Sequence, residues 1–279
     1  MRSFLRDRDG KITVINFPHA SATTAKDIND SGAITGTYWQ TSPAGHGFIR
    51  DLDGNMTSFD PVGSTETEPV SLLPDGTVVG TFYDENNRAH GFVRTADGAI
   101  QRFDPPHSQG TFVTACNAKG VITGYFNQGP IDQHGFVRTE DGAFITFDAP
   151  GEVSTMPSAI NNKNEIIGSS YGIDLYTVHG FVRGADGNLT MINGPQAVGT
   201  FPEGLNDKGE IVGSYLNSSG EHGFVRDHQG NLTTLTFPNA AATDASAIDN
   251  QGVITGNYSR ANGNPHGFVM LRNCERCDP

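Results

Sequence analysis

A chain of 279 residues carrying a formal net charge of −13 is long enough to bury a sizeable core. With no basic stripe, it is too acidic to follow a phosphate backbone or to settle on an anionic membrane. Its 35 glycines and mean hydropathy of −0.37 indicate a soluble, turn-rich protein, and no apolar run reaches the length that spans a bilayer.

The chain opens on "RSFLRDRDG" (2–10), a short β-rich run closed by an Asp-Gly turn. The N-terminus has no apolar signal-peptide core, so a cytoplasmic protein and a trimmed mature chain both fit it. Next come "ITVINF" (12–17), a polar loop, "TTAKDIN" (23–29), the turn "DSG" and "AITGTY" (33–38). At His46 the opening phrase returns as "HGFIRDLDG". The tripeptide HGF then recurs at His90, His134, His179, His222 and His266, at intervals of 44, 44, 45, 43 and 44 residues. A period in the low forties is typical of propeller blades.

Each period holds four short runs separated by turns rich in Asp, Asn and Gly, and none shows a 3.6-residue apolar period. The third run always starts at a threonine (Thr23, Thr67, Thr111, Thr155, Thr200, Thr243). The fourth carries Gly36, Gly80, Gly124, Gly168, Gly213 and Gly256 in one register. Glycine inside a strand signals a close approach, and the Phe48-type aromatic of a neighbouring sheet is expected to cover it.

Four short antiparallel strands cannot bury both sheet faces alone, whereas radial stacking does so. The expected fold is therefore an all-β, six-bladed β-propeller of four-stranded blades, about 44 residues each, in a single domain over 1–272 with a tail at 273–279. An open solenoid is the alternative. The HGF run occurs seven times if Phe4 is counted, which points to a ring closed by both termini. In that scheme the third run lies innermost, "ITVINF" supplies the outer strand of the last blade, and the strand around Phe4 is displaced or pairs outside.

The repeated pattern, a strand "HGFVR" followed by "IN" and a glycine-bearing "I.G.Y" strand, resembles the HAF-type extracellular repeat proteins of bacteria. The likeness covers residues 2–270. It departs at Gly47 and its equivalents, where the family motif has Ala, and at the Arg50 equivalents, where Trp is common. The resemblance implies a propeller-like protein outside the cytoplasm, extracellular or periplasmic, and no particular activity.

The six HGF histidines start equivalent strands, so one hydrogen bond per blade explains them better than a metal centre, which needs ligands converging on one point. The "DRDG" and "DLDG" turns lack the closing Glu of a calcium loop and read as hairpin turns. Cys116 stands where other repeats carry Ile or Leu and reads as a core thiol. Cys274 and Cys277 form a lone C-x-x-C with no second pair at zinc-binding spacing. No metal and no cofactor are expected, an ion on the channel axis being left open.

A site for an asymmetric ligand must break the repeat. The third run does so just after its threonine, reading Thr24, Glu68, Phe112, Met156, Phe201 and Asp244, and two residues on Lys26, Val70, Thr114, Ser158, Glu203 and Ser246. Period-two geometry puts both positions on one strand face. On an innermost strand they would rim the mouth of the central channel, on the side where the long loops emerge. Those loops add His19, Trp39, Glu66, His107, Glu152, Asp174 and Tyr176.

Carboxylates beside aromatics suit a polar small molecule or glycan. The ligand-binding candidates are Thr24, Lys26, Trp39, Glu68, Phe112, Met156, Phe201, Glu203 and Asp244. If the protein is a lyase or hydrolase, Glu68, Glu203, Asp244 and His107 are the acid–base candidates. An acidic scaffold for protein partners is the third reading. The expected partner is a small polar ligand, with no nucleic acid, no membrane insertion and a monomeric chain.

Overall fold

Alternating β-rich runs and Asp-Gly turns fold into strands joined by tight hairpins. A computed structural model describes residues 2–271 except 8, 41–43, 130–131, 175 and 262; Cys274 and Cys277 lie outside these. It holds 25 strands and no helix among the described residues. The chain divides into two compact units, residues 1–130 with 136–145 and residues 131–135 with 146–279.

The first unit begins with a hairpin of β1 (Ser3–Arg6) and β2 (Ile12–Ile15). Two four-stranded antiparallel sheets follow in chain order. One is β3 (Ala22–Ile28), β4 (Ile34–Trp39), β5 (Gly45–Arg50) and β6 (Met56–Phe59). The other is β7 (Ser64–Leu72), β8 (Val78–Asp84), β9 (Ala89–Arg94) and β10 (Ile100–Phe103). β11 (Gly110–Cys116) and β12 (Ile122–Asn127) start the next repeat. The chain passes between units at β13 (Gln133–Arg138) and β14 (Phe144–Phe147).

The second unit repeats the plan. β15 (Ser154–Ile160), β16 (Ile166–Tyr171), β17 (Val178–Arg183) and β18 (Leu189–Ile192) are followed by β19 (Gly199–Leu205), β20 (Ile211–Asn217), β21 (Gly220–Arg226) and β22 (Leu232–Leu235). It ends on a three-stranded sheet of β23 (Ala240–Ile248), β24 (Ile254–Arg260) and β25 (Pro265–Met270). The expected role of "ITVINF" as outer strand of this last sheet is not seen among the described residues. β2 pairs with β1 instead, from Ser3↔Ile15 to Arg6↔Ile12. Asp7 explains the local choice: its carboxylate accepts the Lys11 N–H at 2.8 Å, so a tight turn joins strands that need no long loop to meet.

The recurring glycine is required, for a different reason from the one expected. Gly36 pairs with Phe48 on the next strand of its own sheet, not of a neighbouring one. A Cβ on Gly36 would also overlap the Thr24 carbonyl oxygen. That carbonyl is pushed inward by a β-bulge present in all six copies of the third run. Lys26, Val70, Thr114, Ser158, Glu203 and Ser246 are the bulged residues. A bulge interrupts strict alternation, so the second variable position does not simply share a face with the first.

Within each unit, successive repeats are tied by hydrogen bonds one period apart. In the first, Asn29 Nδ2 donates to Leu73 O at 3.1 Å, and Leu72 N to Asp27 Oδ2 at 2.7 Å. In the second, Asn161 Nδ2 donates to Asn206 O and Asn206 Nδ2 to Asp249 O, each at 3.0 Å. Phe48, Phe92, Phe136, Phe181 and Phe224 have no exposed surface. Phe92, Phe136 and Phe181 pack edge-on against the preceding repeat's Phe59, Phe103 and Phe147, at 6.0, 6.4 and 6.2 Å. The arginine ending three of the HGF strands adds a cation–π contact: Arg94 lies 5.1 Å from the Phe59 ring centre, Arg138 5.0 Å from Phe103 and Arg183 4.9 Å from Phe147.

Candidate functional site

Four of the HGF histidines, His46, His90, His134 and His179, make the same Nδ1 hydrogen bond to the residue 14 positions on. His46 Nδ1 meets Asp60 at 2.8 Å, and Thr67 donates to the other oxygen of that carboxylate at 2.6 Å. The same relay links His90, Asp104 and Thr111, and His134 meets Asp148 at 2.8 Å. A carboxylate thus clips the end of the outer strand to the start of the next repeat's first strand. The Asp-Gly turns are equally self-contained: Asp51 accepts Asn55 N at 2.8 Å and Asn55 Nδ2 at 2.9 Å.

In the first unit, several variable residues meet. Lys26, the bulged residue of β3, acts electrostatically on Glu68 of the following repeat. Burial pushes the Glu68 carboxyl above its usual range and Glu66 adds repulsion, while the Lys26 ammonium partly offsets both. Glu66 pairs across the strands with Tyr83, and Phe112 with Tyr125. Burial first, then the Glu68 and Glu66 charges, push the Tyr83 hydroxyl up to about 12. Tyr125 is shifted upward by burial and by Glu68. The Phe112 and Tyr125 rings stack at 4.8 Å with 14° between planes.

Trp39, the single tryptophan, ends β4 against this group. A Cβ on Gly45 would stand 2.9 Å from Trp39 Nε1 and 3.0 Å from Glu66 Oε1, so indole and carboxylate close over that glycine. Glu66 also lines an open cavity of about 470 Å³ with Gly45, His46, Asp60, Ser64 and Asn87. A larger cavity of about 650 Å³, with Asp84, Ile100 and Arg102 in its lining, lies toward the outer strands and contains none of the variable third-run residues. The smaller cavity, through Glu66, adjoins the residues that break the repeat.

In the second unit Glu203, the bulged residue of β19, lies beside Asp244 of the next repeat. Loss of solvation, then repulsion from Asp244 and Glu221, pushes the Glu203 carboxyl up to about 7, although the residue as a whole is exposed. Asp244 Oδ2 accepts from Ser246 Oγ at 3.2 Å, while its buried Oδ1 has no hydrogen-bond partner. Phe201 packs over Gly199, and Met156 pairs with Ser169.

Two candidates in the first unit stand apart from its cluster. Thr24 pairs with Thr37, and its buried Oγ1 has no partner. His107 is exposed in a turn at φ 65°. Tyr83 and Tyr125 are the members of the cluster that the third run could not reveal. Their signal is the same disagreement between repeats, carried on the fourth run: the Tyr83 position reads Trp39, Asn127, Tyr171, Leu216 and Ser259 elsewhere.

Cys116 packs partly buried against the Val113 and Phe136 cluster, and burial pushes its thiol up to about 12. No helix among the described residues is long and apolar enough to cross a membrane.

Solved structures place this architecture among the β-propeller proteins. The chain is similar to the β-propeller domain of the Trilobed protease from Pyrococcus furiosus, with TM-score 0.66, 8% identity, and 97% of this chain and 88% of that one covered. It is similar to virginiamycin B lyase from Staphylococcus aureus, with TM-score 0.55, 16% identity and coverage of 92% and 87%. It also resembles the putative TolB from Agrobacterium tumefaciens, with TM-score 0.59, 12% identity and 97% of both chains covered. At such identities the likeness establishes the all-β propeller-type fold alone. No family model matches the chain, and no curated protein matches it by sequence.

Proposed function

We propose that the six repeats are six blades of a propeller closed by its termini, and that the variable strand ends bind a polar small molecule or glycan. The site is the first-unit cluster of Lys26, Trp39, Glu66, Glu68, Tyr83 and the stacked Phe112–Tyr125 pair. The carrying observation is that side chains differing from repeat to repeat converge there, with charge of both signs beside flat aromatic surface. Aromatic faces take the apolar side of a sugar ring or similar ligand, and carboxylates and ammonium take its hydroxyls. The HAF-type resemblance supports a location outside the cytoplasm.

A second reading rests on Glu203. A carboxyl held near pH 7 by lost solvation and by the neighbouring Asp244 and Glu221 charges can deliver a proton at neutral pH, as the general acid of a lyase or hydrolase must. Solved structures of the same fold include a lyase and a puromycin hydrolase.

The test uses the single tryptophan. Mono- and oligosaccharides and small carboxylates are titrated against Trp39 fluorescence, with thermal shift in parallel. A ligand at 100 times its Kd stabilises the native state by about 2.7 kcal/mol. Glu68→Ala and Phe112→Ala are expected to abolish the response. A ligand that binds these variants as well as the parent chain sinks the proposal, and turnover lost in Glu203→Gln alone brings the second reading forward. No response to any compound leaves the acidic scaffold for protein partners as the better account.

A further inference from the structure

Repeat four departs from the others at two positions that face the same histidine. In four other repeats an aromatic ring lies across the strand from the HGF histidine and packs on it: Tyr38 on His46 at 5.3 Å, Phe82 on His90 at 5.2 Å, Tyr215 on His222 at 5.2 Å and Tyr258 on His266 at 5.1 Å. The register partner of His179 is Ser170, fully buried and too small to fill that place.

The second departure is Glu152. Its N–H closes a turn onto Ala149 O, as the equivalent residues Ala20, Ser64, Ser108, Ala197 and Ala240 do onto their own partners. Five repeats thus carry Ala or Ser where repeat four carries Glu. The Glu152 side chain is only 10% exposed, and its Oε1 stands 3.9 Å from His179 Nε2. Its buried Oε2 has no hydrogen-bond partner. Leaving such a group unpaired is costly, and filling the space of a missing ring does not require a charged one.

The surroundings say what would pair it. Glu152 Oε2 and Asp174 Oδ1 converge over Gly172, 3.5 and 3.4 Å from where a Cβ there would stand. Asp174 is held in place by Tyr176 N at 3.0 Å and Thr177 Oγ1 at 2.9 Å. His179 Nδ1 meets the neutral Asn193 Oδ1 at 2.9 Å, where His46, His90 and His134 meet an aspartate. Two carboxylates and the imidazole edge of His179 thus line a cup in which the buried Glu152 Oε2 still lacks a donor. Ile173 and Tyr176, in the same turn as Asp174, are 86% and 88% exposed. Among the described residues no three His, Cys, Asp or Glu side chains are grouped to hold a metal ion. A primary ammonium supplies three donors and no acceptor.

We propose that Glu152, Asp174 and His179 form a binding site for the primary ammonium group of a small-molecule amine, whose apolar portion lies against Ile173 and Tyr176. The site is separate from the one at Trp39 and Glu68 and does not depend on that reading.

The test is a titration of the protein with n-butylammonium chloride, following the His179 imidazole resonances by ¹H–¹⁵N NMR. A saturable shift at His179 is expected, weakened about tenfold or more in Glu152→Gln, and absent with tetramethylammonium, which has no N–H to donate. The double variant Ser170→Phe with Glu152→Ala rebuilds the aromatic arrangement of the other repeats, and is expected to fold and not to bind. The proposal is overturned if His179 does not respond, if tetramethylammonium acts equally, or if either variant binds as tightly as the parent chain. Saturation by calcium with no response to the amine overturns it in favour of a metal site.

Discussion

Replacing Glu203 with Gln isolates the electrostatic strain at the acidic pair of the second unit. Glu203 in the folded chain releases its proton at about 7, against an ordinary value of 4.5. Between those values the folded state holds a proton that the unfolded chain has lost. Stability therefore falls as pH rises through the window and is untouched below it, the reverse of an ordinary salt-bridged carboxylate. A rise of that size sets a ceiling of roughly 3 kcal/mol, at about 1.4 kcal/mol per pKa unit. Because the residue is exposed, solvent screening reduces the expected figure to about 1 kcal/mol. Glutamine keeps the shape and removes the charge. Thermal unfolding of both chains should coincide at pH 4, with the variant about 2 °C more stable at pH 8. A difference independent of pH, or a parent chain more stable at pH 8, would refute the assignment of the shift to Asp244, Glu221 and lost solvation.

Two further substitutions probe the frame. Asn206→Ala removes the link to Asp249 O and strands the Lys208 and Glu210 N–H groups that its Oδ1 accepts at 3.0 Å; a loss of about 2–3 kcal/mol is expected in urea unfolding, and a loss below 0.5 kcal/mol would show that the repeat-to-repeat bond is dispensable. Gly213→Ala would drive a methyl into the Phe201 carbonyl oxygen, so the bulge must shift at a cost of about 1–3 kcal/mol or more, whereas the same change at Gly63, which has nothing within 4 Å but a φ of 79°, should cost about 1 kcal/mol. Equal losses at the two glycines would count against close approach as the reason for the recurring one.

The recurrence of HGF, the threonine that opens each third run and the Asp-Gly turns were enough to read four antiparallel strands per repeat, because hairpins depend on local turn chemistry and two-residue alternation. The structural role of the histidine was legible for the same reason, a recurring residue serving the frame, and four of the six make the same Nδ1 bond. The variable positions after the threonine were legible as departures from that frame, and in two cases one acts electrostatically on another, Lys26 on Glu68 and Asp244 on Glu203.

What the linear order could not carry is where the alternation breaks. The bulge at Lys26 and Glu203 breaks the alternation, and the sequence marks it only in three copies, where Pro69, Pro157 and Pro202 stand just before it. The choice of β1 as partner for β2, the closure of Trp39 and Glu66 over Gly45, and the stacking of Tyr125 on Phe112 are settled by packing between strands distant in sequence. Ser170 and Glu152 make the point most sharply. Each is visible in the sequence as a departure within one repeat, but only the tertiary structure shows that both face His179, because contact is decided by which strands pair and not by how far apart two residues stand along the chain.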